Sequence, residues 1–190
     1  MKKKYLTRAV LKSICKRLAQ IRGAYPTRKM TEKHLEPAFL ALLRERLSCG
    51  VNVQQAVQLG KPKKSKRRKS KRRKGGRVPQ WDFLTKGSNH AALEFAVHRK
   101  GGAANPSQNK SELKKLLFGT ADGYVCGIRT RYLVILDIRT KGSALIPRKW
   151  EAAFSSKVSL VRKGYPGRKS FPIKVWIVDR SGAISMQFGY

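Results

Sequence analysis

Asp82 and Glu94 are two of only ten carboxylates in a 190-residue chain that carries 44 lysines and arginines. Both lie in WDFLTKGSNHAALEFAVHR, residues 81–99, where the alternation of side chains predicts two strands joined at KGSN. Residues directly opposite each other in an antiparallel hairpin point to the same face. Centring the turn on Ser88 sets Asp82 opposite Glu94 on one face, with Trp81 opposite Phe95 and Phe83 opposite Leu93 on the other. A slip of one residue would drive Glu94 into the aromatic layer and bury its charge there. Two carboxylates about 5 Å apart at Cβ repel each other unless a cation lies between them. Mg²⁺ or Mn²⁺ suits such oxygen ligands and completes its shell with phosphate oxygens. A metal so held activates water and stabilises charge building on phosphorus. The other solution, pairing with neighbouring cations, is open to a chain so rich in them.

The elements that must carry this pair follow from the periodicity. Residues 5–21 place Val10, Leu11, Ile14, Cys15, Leu18 and Ile21 at helical spacing, which predicts an amphipathic helix with a basic outer face. A second helix is predicted over residues 35–47, with Pro37 in its first turn and Glu36 at its start, where a carboxylate complements the helix dipole. Strands are predicted over residues 77–84 and 91–99. NKSELKKLLFG then reads as a short helix, with Asn109 and Glu112 at capping-box spacing and Gly119 as its stop. RYLVILDIR reads as a buried strand and PRKWEAAF as a helical turn. VSLVRK, KVWIVDR and AISMQFGY read as three further strands, the last two joined through RSGA. The expected fold class is α/β (α+β), a mixed central sheet with flanking helices. Residues 1–60 form the helical part of a single domain, 61–77 a basic arm and 78–190 a sheet-rich core.

The charge narrows the partner. A formal net charge of +34 concentrates polyanions at the surface, and each Lys or Arg on a phosphate also releases a condensed counterion. Nucleic acid, DNA or RNA, is the expected partner, ahead of an anionic membrane surface. Assembly as a homodimer or within a larger nucleoprotein complex is left open. Eleven of the fourteen residues from Lys61 to Lys74 are basic, and such a block repels itself and buries nothing. It is expected to be a disordered loop that binds phosphates through Lys63, Lys64, Lys66, Arg67, Arg68, Lys69, Lys71, Arg72, Arg73 and Lys74, with Arg99 and Lys100 extending the basic surface. Cys15, Cys49 and Cys126 form no CxxC pair, which fits reduced thiols in a cytoplasmic, nucleoid or nuclear protein. Arg8, Lys12 and Lys16 interrupt any signal-peptide core, and YLVIL at 132–136 is too short to span a bilayer.

A helix bearing Glu36, then Asp82 in WDF, then Glu94 in LEFAVHR on the hairpin partner, then a helix and an apolar strand, resembles the PD-(D/E)XK nuclease superfamily over about residues 31–139. The resemblance implies a restriction-endonuclease-like core and a metal-dependent endonuclease of DNA or RNA. Mg²⁺ or Mn²⁺ would then be held by Asp82 and Glu94, with Glu36 beside them. A lysine two residues after the second acid would orient the attacking water, but that position is Ala96. His98, on the same face as Glu94, is one substitute as general base. Lysines of the following helix, Lys110 first and Lys114 or Lys115 after it, are others. Without a lysine the same fold would serve as a non-catalytic nucleic-acid-binding or assembly subunit, such as a ribosomal component. Deleting residues 61–74 is expected to reduce both the affinity for nucleic acid and its dependence on salt while leaving thermal unfolding unchanged, as measured by binding over a salt series and by melting.

Overall fold

The structure, a computed structural model, describes residues 2–24, 32–56, 58–59, 79–86, 90–98, 110–120, 127–138, 147–179 and 182–188. Thr7 opens α1 (Arg8–Ala24), its hydroxyl accepting a hydrogen bond from Val10 N–H at 3.3 Å. The predicted apolar stripe of this helix is its buried face. α2 spans Glu32–Arg46 and starts earlier than expected, so Pro37 and Glu36 lie inside it and not at its N-terminus. Glu36 is therefore not a helix-start residue set against the dipole.

Six strands form one mixed sheet in the order β1-β3-β4-β6-β7-β8: β1 (Val51–Ala56), β3 (Gln80–Thr85), β4 (His90–His98), β6 (Ile128–Asp137), β7 (Ile173–Asp179) and β8 (Gly182–Phe188). Two short strands, β2 (Gln58–Leu59) and β5 (Gly119–Thr120), pair separately. β4, β6 and β7 run parallel at the centre because helices intervene between them, α3 (Lys110–Phe118) and α4 (Pro147–Lys163). β3 and β8 add antiparallel to either side, and β1 closes one edge. The α/β class with a mixed sheet and flanking helices is thus the observed one.

Alternation along the central strands divides the core in two. Leu93 and Phe95 of β4, Tyr132, Val134 and Leu136 of β6, and Trp176 and Val178 of β7 pack with α1 and α2. Ala92 and Ala96, Leu133 and Ile135, and Val175 and Ile177 pack with α3 and α4 on the opposite face. YLVIL is continuously apolar because both its faces are covered.

Two elements differ from expectation. VSLVRK, predicted as a strand, forms the last turns of α4. Its six residues satisfy either period, and what decides is the longer stripe of Trp150, Phe154, Lys157, Val158 and Val161, all buried on one helical face. VNVQQA was not predicted, yet it forms β1, an edge strand too short and too polar to announce itself.

α3 is anchored at its C-terminal end by Arg131 of β6. This guanidinium, 3% exposed, donates to Leu116 O at 2.9 Å and to Gly119 O at 2.8 Å. It also stacks on Phe171, 3.8 Å from the ring centroid. Replacing Arg131 by Met keeps most of the volume but leaves both carbonyls without their donor. We expect a loss of about 2–4 kcal/mol, read from urea unfolding.

Candidate active site

β3 and β4 hold the expected register, with Phe83 opposite Leu93 and Leu84 opposite Ala92. Beyond Phe83 the ladder stops. Phe95 N–H does not continue the backbone pairing but donates to the carboxylate of Asp82, at 2.8 Å to Oδ2. On the other side of β3, β1 pairs at Val53–Phe83 and Gln55–Trp81, and the intervening Gln54 has φ 54°, in the left-handed region that non-glycine residues seldom adopt. Both neighbours of β3 are thus irregular at the level of Asp82. The consequence overturns one expectation: Trp81 does not join Phe95 but lies on the α3/α4 face, with Leu84, Ala92 and Ala96. A strand whose side chain captures its neighbour's amide no longer alternates strictly.

α2 pins the hairpin from the opposite face. Phe39 stacks on Phe95, with ring centroids 5.0 Å apart, and meets Phe83 edge-on at 5.3 Å. Glu36, one turn earlier, comes near enough to Asp82 for the two charges to interact. On the α3 side, the buried stripe Leu113, Leu116 and Leu117 seats the helix on the sheet and leaves Glu112 and Lys115 at its margin. Lys115 Nζ donates to Gln80 O at 2.7 Å and forms a short ion pair with Glu94 Oε2. Lys115 is 12% exposed at its side chain and Glu94 0%, so water screens this pair little.

Lys115 thus acts on both Asp82 and Glu94, with Glu112 near enough to each for the charges to interact and Glu36 near enough to Asp82, a locally acidic region in a chain of +34. Burial raises the Glu94 carboxyl well above its ordinary range, the charge of Asp82 raises it further, and Lys115 opposes both. Burial also raises Asp82, against the lowering effects of Lys115 and of the hydrogen bond from Phe95. Glu36 is raised by burial and by Asp82. Glu94 Oε1 is buried without a geometrically formed hydrogen bond among the described residues, although Glu94 lies close enough to Asp82 to lower the Asp82 carboxyl by hydrogen bonding.

Other expected site residues fall elsewhere. His98 is four residues beyond Glu94, about 13 Å along the strand, and its ring lies 5.5 Å from that of Trp150. It is buried at the far end of β4, away from the carboxylates. Lys110 opens α3 on an exposed surface, and Lys114 lies over Tyr165. Of the lysines on that helix, Lys115 is the one that reaches Glu94. Ala96 is buried in the apolar cluster. Among the described residues no three of His, Cys, Asp and Glu stand close enough to hold a metal together, so Glu36 does not join Asp82 and Glu94 as a third ligand. The residues of the two carboxylates fit a hard cation that keeps waters and takes only two protein ligands, as Mg²⁺ commonly does. Lys63, Lys64, Lys66, Arg67, Arg68, Lys69, Lys71, Arg72, Arg73, Lys74, Arg99, Lys100 and the Asn109 cap lie outside the described residues.

Glu112 and Lys115 were weighted too lightly in the sequence. Their signal is their position three residues apart, flanking the stripe that docks α3 beside the hairpin. Among known proteins, the chain matches no family model, no curated protein and no solved structure.

The raised Glu94 carboxyl has a defined sign in stability. The folded protein keeps a proton there that the unfolded chain releases, so this contribution is present below the ordinary carboxylate range and is lost as pH rises through the folded value. Melting profiles from about pH 4 to about pH 8, recorded with chelator, should therefore fall less steeply with pH for Glu94→Gln than for the parent protein.

Proposed function

We propose that the chain is a divalent-metal-dependent nuclease that hydrolyses phosphodiester bonds of DNA or RNA. The observation that carries the reading is the meeting of Asp82, Glu94 and Lys115, from β3, β4 and α3, in a strongly basic protein. It has the acid, acid and lysine of the PD-(D/E)XK pattern, with the lysine supplied by the following helix in place of Ala96.

Asp82 and Glu94 would hold Mg²⁺ or Mn²⁺ between the hairpin strands. Such an ion supplies Lewis acidity and an activated water. The chain's own groups do the positioning. Asp82 is fixed by Phe95 N–H, which aligns one carboxylate with the strand on which the other sits. Lys115 spends two of its three N–H bonds on Gln80 O and Glu94, so one remains to orient a water or a phosphate oxygen. Its charge also offsets the repulsion between the carboxylates while no cation is present. The basic residues raise the local concentration of substrate, whose phosphates the acidic cluster alone would repel.

A non-catalytic reading is favoured by one specific feature: Glu94 is wholly buried and already paired with Lys115, as a structural ion pair would be. It predicts tight, salt-dependent binding without turnover. No helix among the described residues is long and apolar enough to cross a membrane.

Cleavage of plasmid and single-stranded substrates in Mg²⁺ or Mn²⁺ separates the two. Asp82→Ala and Glu94→Ala should each lower the rate at least about 100-fold, and Lys115→Met should do likewise, whereas Lys110→Ala should not. Cleavage indifferent to Asp82 and Glu94 would remove the assignment of the site, and binding without any cleavage would favour the second reading.

A further inference from the structure

On the face of the sheet opposite Glu94, near the β8 edge, a hollow of about 140 Å³ is lined by Arg8, Lys174, Trp176, Ser185, Met186 and Gln187. Its polar side chains are those of Arg8, Lys174, Ser185 and Gln187, and no carboxylate borders it among the described residues. Trp176 is 3% exposed, yet its Nε1 finds no hydrogen-bond partner among the described residues. A buried donor left so costs stability unless something accepts its hydrogen. Among the described residues neither cation has a salt-bridge partner, and Arg8 donates to the hydroxyl of Ser185 at 3.4 Å. Arg8 is also the first residue of α1, a helix of 17 residues with no acidic side chain in its first turn to compete for it.

We infer that this hollow binds a phosphate group. Arg8 and Lys174 around one small hollow, with no carboxylate among the described residues that line it, match the charge of a phosphate, and Ser185 and Gln187 add neutral polar groups. The volume admits one such group and no large organic ligand. The inference is independent of cleavage, because its residues belong to α1, β7 and β8 and none of them touches Asp82 or Glu94. In a nucleic-acid-binding chain this site would grip a backbone or end phosphate away from the acidic cluster; a free phosphate has the same chemistry.

The test is a ¹⁵N–¹H spectrum of the indole groups, recorded in chelator so that no cleavage intervenes. The chain has three tryptophans, and Trp176→Phe identifies the resonance of interest by its loss. Three probes are titrated at constant ionic strength set with chloride: inorganic phosphate, a short oligonucleotide with a 5′-phosphate, and the same oligonucleotide with a 5′-hydroxyl. The Trp176 resonance should shift saturably while those of Trp81 and Trp150 stay. Arg8→Ala with Lys174→Ala should weaken the response at least about tenfold, and Lys174→Gln alone should weaken it in the same direction. A response only to the 5′-phosphorylated strand assigns an end phosphate, a response to both strands a backbone phosphate, and a response to inorganic phosphate alone a small phosphate ligand. No saturable shift with any probe, or the same affinity in the double variant, overturns the inference.

Discussion

The ion pair between Lys115 and Glu94 is the interaction on which the arrangement of the hairpin and α3 depends. It joins a helix to the sheet at a point where neither partner meets much water, and Lys115 extends the link to β3 through Gln80 O. Removing one member of such a pair leaves the other charge buried, typically a loss of about 3–5 kcal/mol. Both ends are supported by packing. Phe39 of α2 fixes the strands from one side, and Arg131 clamps the end of α3 from the other.

The charge distribution has a corresponding logic. A chain of +34 is repelled by itself and attracts polyanions everywhere. Four of its ten carboxylates, Glu36, Asp82, Glu94 and Glu112, nevertheless interact around Asp82, and desolvation raises three of them. Such mutual repulsion is destabilising unless a positive charge offsets it, as Lys115 does for Asp82 and Glu94. The irregular backbone at Gln54 and the side-chain hydrogen bond from Phe95 to Asp82 mark the same place as locally strained.

Much of this was legible in the chain. The register of the hairpin followed from turn chemistry and the exclusion of charge from the aromatic layer, and Phe83 does face Leu93. The helical stripe of α1 and the doubly buried β6 followed from periodicity, and α3 from its capping and stop residues. The failures are local. VSLVRK fits two periods at once and took its helical form from Trp150 and Phe154 earlier in α4. Trp81 changed face because the carboxylate of Asp82 competes with the backbone for Phe95 N–H, a competition that alternation does not encode. Glu36 was read as a helix-start residue because Pro37 suggested a first turn that begins several residues earlier.

By itself, the sequence determined the mixed α/β order of elements and the hairpin register that brings Asp82 near Glu94, because period and hairpin parity are properties of neighbouring residues. Only the tertiary structure decided which cation answers those carboxylates. Lys110, Lys114 and Lys115 are equivalent along the chain, and the crossover that docks α3 on the sheet turns Lys115 inward, sends Lys114 over Tyr165 and leaves Lys110 in solvent. The same folding brought Arg8 to Ser185 across 177 positions of the chain. Distances of that kind are set by the packing of helices on a sheet, which no local pattern contains.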